Sequence, residues 1–201
     1  MKIVLATNNQ NKITEIKELL KEMPVEVLTK ADFDNFPDPD ETGTTLEENA
    51  LIKANEIAEF CKCAALADDS GLEVDHLNGA PGVYSSRYAG DDVTYEDNNR
   101  KLLAEMAGVP QPLRTARFRC VIAINWGDGT HNLAEGTADG YITEDVGGTE
   151  GFGYDPVFYY PNAEMRFSEM TLEEKNRVSH RGLALRGAKY LIAEKLGISL
   201  P

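Results

Sequence analysis

The stretch Ala64-Ala65-Leu66-Ala67-Asp68-Asp69-Ser70-Gly71-Leu72-Glu73-Val74 runs from apolar residues into two adjacent carboxylates, then a Ser-Gly pair, then apolar residues again. Ala64 to Ala67 and Leu72 to Val74 read as two strands with a Ser-Gly turn between them. Burying an unpaired carboxylate is costly, so Asp68 and Asp69 must sit at an exposed strand end or meet a cation. Side chains alternate along a strand, so the two cannot point the same way if the strand continues. One can then hold a metal or activate water while the other supports the turn. A solvated Asp-Asp turn fits the same residues.

Upstream, Lys2 to Ala6 reads as a short buried strand and Thr7 to Asn11 as a polar turn. Ile13 to Met23 shows helical spacing through Ile13, Ile16, Leu19 and Leu20, and Pro24 closes it. This makes a strand-loop-helix unit with Lys12 at the helix entrance. Phe33 to Glu41 is an acidic, proline-containing loop. Thr44 with Glu47 and Thr45 with Glu48 form overlapping capping boxes for a helix running to about Cys61. Leu46, Ala50, Ala54, Ile57 and Cys61 form its apolar face. Asn49, Lys53 and Glu56 lie on the shoulder of that face, which places Lys53 near the body of the protein.

Downstream, Asn78 to Gly90 is a Gly-, Ser- and Tyr-rich loop, and Thr94 to Met106 a helix. Thr115 to Trp126, His131 to Thr137, Gly140 to Thr143 and Val157 to Tyr160 read as strands. Thr171 to Val178 is a short helix with a Thr171/Glu174 box. Ser179 caps the last helix, which ends at Leu196. Mixed βα units and a long β section predict an α/β fold with a mixed sheet.

The 201 residues fit one domain, or one domain with two lobes. No apolar stretch is long enough to span a bilayer, and Met1 to Ala6 is too short for a signal-peptide core. The expected compartment is the cytoplasm. Cys61, Cys63 and Cys120 have no metal-ligand spacing, and their odd number argues against a disulfide framework. A net charge of -14 disfavours nucleic-acid and membrane partners. It leaves room for a small anionic ligand held by a local basic cluster and a divalent cation.

Four segments carry chemistry. Thr7-Asn8-Asn9-Gln10-Asn11-Lys12 enters a helix N-terminus, where free N–H groups and a lysine suit phosphate. It lacks the Walker glycines, and an ordinary capped turn fits it too. Glu41 with Asp68 and Asp69 offers carboxylates to a hard cation; Mg²⁺ typically needs one or two plus substrate phosphates. Gly151-Phe152-Gly153-Tyr154-Asp155-Pro156 lets backbone approach a ligand, with Phe152 to stack on a base and Asp155 to accept from a ring N–H. A tight turn with core aromatics is the alternative. In Glu174 to Arg181, Ser179 puts His180 and Arg181 in a helix first turn, where cations are unfavourable unless an anion or polarised carbonyl meets them.

Together these segments resemble the inosine/xanthosine triphosphate pyrophosphatases, the Ham1-like family acting on non-standard purine triphosphates. The matching motifs are Thr7-x-Asn9-x-x-Lys12, Glu41-Thr42-Gly43-x-Thr45, Glu48-Asn49-Ala50-x-x-Lys53-Ala54 and Asp68-Asp69-Ser70-Gly71-Leu72. Gly79-Ala80-Pro81-Gly82-Val83-Tyr84-Ser85-x-Arg87-Tyr88, Gly151 to Pro156 and Ser179-His180-Arg181 complete the set. Asn8 stands where many relatives have Gly, and Ser86 where they often have Ala.

The resemblance implies an elongated mixed β-sheet flanked by helices, in one domain (1-201) of two lobes with a central substrate cleft. It implies Mg²⁺-dependent hydrolysis of ITP, dITP and XTP to monophosphate and pyrophosphate by a cytosolic homodimer. Asp69 would be the proton acceptor for water and a metal neighbour, and Glu41 would help hold Mg²⁺. Thr7, Asn8, Asn9, Gln10, Asn11, Lys12, Lys53 and Ser70 would hold the triphosphate. Phe152, Gly153, Tyr154, Asp155, Lys175, His180 and Arg181 would form the base pocket. A pyrophosphatase for other modified nucleotides and a non-catalytic nucleotide binder are the competing readings.

Overall fold

The computed structural model describes residues 1–200, the side chain of Asn11 excepted. Strand β1 (Lys2–Leu5) leads into helix α1 (Gln10–Leu20), strand β2 (Glu26–Leu28), helix α2 (Leu46–Cys61) and strand β3 (Ala64–Val74). Helix α3 (Tyr95–Glu105), strands β4 (Thr115–Asn125), β5 (His131–Ile142), β6 (Phe158–Tyr160) and β7 (Met165–Arg166), and helices α4 (Leu172–Val178) and α5 (His180–Leu196) follow. The seven strands form one sheet in the order β2-β1-β3-β4-β5-β6-β7. β1 is parallel to β2 and β3, while β6 is antiparallel to β5 and β7, so the sheet is mixed. This is the expected α/β class. No helix among the described residues is long and apolar enough to cross a membrane.

The chain divides into two compact units. The first comprises Met1–Asp69, Cys120–Gly136 and Ala184–Pro201; the second comprises Ser70–Arg119 and Thr137–Leu183. In the first unit, strand alternation sends side chains to two layers. Ile3, Leu5, Ala64 and Leu66 pack with Ile13, Ile16 and Leu20 of α1 and with Ala184, Ala188 and Ile192 of α5. Their neighbours Val4 and Ala65 pack with Ile57 and Ala58 of α2. The register Ile3↔Ala64, Val4↔Ala65, Leu5↔Leu66 keeps each layer in step. In the second unit, Leu72, Val74, Leu102, Met106, Phe118, Ile142, Phe158 and Phe167 form a separate core.

Three boundaries differ from the sequence reading. β3 is continuous from Ala64 to Val74, without a turn at Ser70-Gly71. Its carboxylates are buried but paired, and Gly71 is a packing position: a Cβ there would run into the Gly82 carbonyl oxygen. β5 is likewise one strand, because Ala134, Gly136 and Ala138 keep a buried period of two that small residues disguise. α1 begins at Gln10, so the turn before it is shorter than the polar run suggests. β2 was not foreseen; three residues carry too little pattern.

Candidate active site

Continuity of β3 separates its two aspartates. Asp68 shares the parity of Ala64 and Leu66, the layer under α1, and its carboxylate pairs with Lys12 Nζ at 2.8 Å. Asp69 shares the parity of Ala65, the layer under α2, and its Oδ1 accepts from Lys53 Nζ at 3.1 Å. Lys53 also donates to Glu41 Oε1 at 2.6 Å, so one ammonium joins the two carboxylates. Asp68, Asp69 and Lys53 are all buried.

The helix ends explain these placements. Asn9 Oδ1 accepts from Lys12 N at 3.4 Å and Thr7 Oγ1 from Asn9 N at 3.2 Å, so the turn before α1 is closed by its own side chains. At α2, Thr45 Oγ1 accepts from Glu48 N, while the Glu48 carboxylate takes the amide and hydroxyl of Thr44. The two expected capping boxes are thus one shared arrangement around Glu48. One turn in, Asn49 is fully buried. Its Oδ1 accepts from Gly43 N at 2.8 Å and its Nδ2 donates to Asp69 Oδ2 at 3.4 Å. Asn49 therefore ties the loop after Glu41 to Asp69.

Burial pushes the Asp69 carboxyl above its ordinary pKa; Lys53 opposes this and Glu41 adds to it. Burial works against the Lys53 ammonium, but Asp69, Glu41 and Asp68 together outweigh it and hold its pKa above the usual lysine value. A cavity of about 160 Å³ opens beside these groups, with Thr7, Asn8, Lys12, Glu41, Lys53 and Asp68 in its walls. Gln10 is exposed at the first position of α1 and does not line it. The Asn11 side chain lies outside the described residues. Ser70 follows Asp69 in β3 and is half-buried.

The second unit carries the other predicted set. Phe152 N donates to Asp155 Oδ2 at 2.7 Å, and the same oxygen pairs with the Lys175 ammonium. Gly151 has φ of 78°, and a Cβ there would collide with that carboxylate, so the turn requires glycine. Lys175 Nζ and Arg181 Cζ lie 5.1 and 5.3 Å from the Phe152 ring centroid. His180 is buried and stacks on Phe118, centroids 4.6 Å apart. Tyr154 is buried, its hydroxyl donating to the Ser85 carbonyl at 2.9 Å. Gly153 presents its carbonyl to Asn99 Nδ2, 2.9 Å away. Carboxylates under lysines in one unit, and a cation-flanked aromatic ring in the other, are the parts for handling polyphosphate and a planar base.

A family model described as the Ham1 family matches residues 3–190. The chain belongs to the Ham1 family. This Ham1 chain is 50% identical over 192 residues to the dITP/XTP pyrophosphatase of Desulforamulus reducens, the match spanning 96% of both chains. It is also 50% identical over 196 residues to the enzyme of the same name from Thermoanaerobacter pseudethanolicus, with 98% of both chains covered. Among solved structures it is similar to a Ham1 protein from Coxiella burnetii, at a TM-score of 0.91 and 41% identity, covering 96% of this chain and 99% of that one. The Ham1 protein of Staphylococcus aureus gives a TM-score of 0.90 at 37% identity, with 97% and 100% covered.

The structure of this Ham1 chain adds contacts of Asn49, Phe36 and Asn99 to the residues that the sequence assigns. Asn49 stands in the polar stripe and in the motif Glu48-Asn49-Ala50-x-x-Lys53-Ala54, and its place one helical turn before Lys53 is the signal for its role. Phe36 lines the cavity beside Glu41 and packs against Phe33 and Phe60, at 5.8 and 6.0 Å between centroids. Asn99 supports Gly153, and nothing local announces that contact.

Proposed function

We propose that this protein hydrolyses deaminated purine nucleoside triphosphates (dITP, ITP and XTP) to the monophosphate and pyrophosphate. The observation that carries the reading is the Lys53 ammonium shared by Glu41 and buried Asp69, beside a cavity flanked by Lys12. The names of relatives at half identity over nearly the whole chain support the substrate class.

In this reading Thr7 to Lys12, Lys53 and Ser70 hold the triphosphate, and the start of α1 adds its N–H groups. Asp69 takes a proton from water as the water oxygen bonds to the α-phosphorus. The bridging P–O bond to the β-phosphate breaks, and pyrophosphate leaves against Lys12 and Lys53. A raised carboxyl pKa suits Asp69 to that role. Glu41 and Asp69 fit a hard divalent cation, because a cationic ammonium already satisfies both oxygens. Among the described residues no group of three or more His, Cys, Asp or Glu is placed to hold a metal, so phosphate oxygens would supply further ligands. Bound Mg²⁺ would neutralise charge on the phosphates.

Phe152 stacks on the base, Asp155 and the Gly153 backbone line it, and Tyr154 braces the turn. Lys175, His180 and Arg181 donate toward the 6-oxo group that hypoxanthine and xanthine both carry. ATP offers an amino donor there and leaves those donors unmatched. The protein works in the cytoplasm as a homodimer, and its acidity keeps it off nucleic acids.

The test is pyrophosphate release from dITP, ITP, XTP, dTTP, GTP and ATP, each with Mg²⁺ and with chelator. Mg²⁺-dependent release from dITP, ITP and XTP alone is the expected result. Release mainly from dTTP would move the activity to modified pyrimidines. Binding of dITP without any release would make the protein a binder.

A further inference from the structure

We propose a further role for Lys53: without ligand, its ammonium holds the place of the divalent cation between Glu41 and Asp69, and it moves onto the triphosphate when the metal-bound substrate arrives. The inference rests on the reading of Glu41 and Asp69 as the metal carboxylates.

The argument begins with local charge. Glu41, Asp68 and Asp69 bring three negative charges to the middle of β3, against Lys12 and Lys53. Lys12 is engaged with Asp68 at 2.8 Å. Lys53 is therefore the cation that lets Glu41 and Asp69 approach one another. Its Nζ lies 2.6 Å from Glu41 Oε1 and 3.1 Å from Asp69 Oδ1. One cation bridging two carboxylate oxygens is the electrostatic arrangement a divalent ion requires, made with a single charge.

The carboxylates have anchors besides Lys53. Asn49 Nδ2 holds the second oxygen of Asp69, and Asn49 Oδ1 fixes Gly43 in the loop after Glu41. Lys53 is the member that can move, because a four-carbon stem reaches several positions from one backbone site. In a buried site the ammonium cannot remain between two oxygens that take up a divalent cation, since like charges at close range repel strongly there. It needs another anion, and the phosphates bring one to the cavity that Lys53 already lines. Metal and triphosphate thereby assist each other through Lys53, and metal alone competes with it. Coupling between sites is reciprocal and typically amounts to 5- to 150-fold.

The test is Mn²⁺ binding to the intact protein without nucleotide, followed by electron paramagnetic resonance, with Mn²⁺ standing for Mg²⁺. Lys53→Met should bind Mn²⁺ at least about fivefold more tightly than the natural protein. Lys53→Arg keeps the competing charge and should bind it as weakly as the natural protein. Thermal melting gives a second readout: Mn²⁺ should raise the melting temperature of Lys53→Met more than that of the natural protein. Equal or weaker Mn²⁺ binding by folded Lys53→Met overturns the placeholder role. Because no nucleotide is present, that failure is separate from failure of the substrate panel. A placeholder disproved beside intact dITP and XTP hydrolysis leaves the proposed function standing.

Discussion

Asn99 donates from Nδ2 to the Gly153 carbonyl at 2.9 Å, and so fastens α3 to the turn that carries Phe152. Its neighbour Asn98 accepts from Ala89 N at 2.7 Å and donates to Ser86 O at 3.1 Å. Two adjacent side chains on one helix thus hold two loops. Asn99→Ala removes a buried bond worth about 1 kcal/mol or more, or roughly fivefold to thirtyfold in kcat/KM for dITP. The loss should appear mainly in KM, because Asn99 supports the base-binding turn and not the reacting phosphorus. An equal loss in kcat alone would place Asn99 elsewhere in the mechanism.

Asp69→Asn keeps the shape of the side chain and removes the base. Turnover should fall by about a hundredfold to ten-thousandfold, the usual worth of a positioned general base, while dITP still binds. Undiminished turnover would remove Asp69 from that role.

Arg181→Ala takes away a cation 5.3 Å from the Phe152 centroid. Discrimination between ITP and ATP should erode more than stability does. The check is the ratio of kcat/KM for the two substrates beside a melting curve. A ratio unchanged from the natural protein would exclude the proposed contact to the base.

Burial, then the nearby Tyr88 and Glu105 charges, hold the Tyr154 phenol well above its ordinary value of 10.0. The folded state favours the neutral phenol. Its contribution to stability is complete below about pH 10 and is lost as pH rises from there toward the folded pKa. Urea midpoints measured from pH 8 to 11.5 should therefore fall more steeply for the natural protein than for Tyr154→Phe. Parallel curves would refute this linkage.

Arg114 is buried, and its guanidinium donates to the carbonyls of Ile142 and Met106 at 2.7 Å and of Thr143 at 2.6 Å. Arg114→Met strands these acceptors. The expected cost is about 3 kcal/mol in urea unfolding, with the substrate preference of the surviving enzyme unchanged.

Which parts were legible follows from where the deciding partners lie. Alternation in β3 required Asp68 and Asp69 to diverge, and the structure sends them to Lys12 and Lys53. The Thr171/Glu174 box was readable because both partners are local. The continuity of β3 was not, since the lysines that make buried carboxylates tolerable come from two separate helices. A run of Asp-Asp-Ser-Gly looks like a turn until those helices dock. The Asn99 contact spans 54 positions and leaves no periodic trace. Motifs point to the candidate residues of each unit; the supports beneath them are products of tertiary packing.

The first core has a consequence for how the protein is made. Ile3 and Leu5 of β1 pack in one cluster with Ala184, Leu185, Ala188 and Ile192 of α5. On a ribosome, β1 and α1 emerge long before the helix that covers them. The apolar layer behind Lys12 and Asp68 therefore stays open until α5 is made. That layer can close only after α5 has been released from the exit tunnel. A nascent chain stalled before Ala184 would display an incomplete core to chaperones.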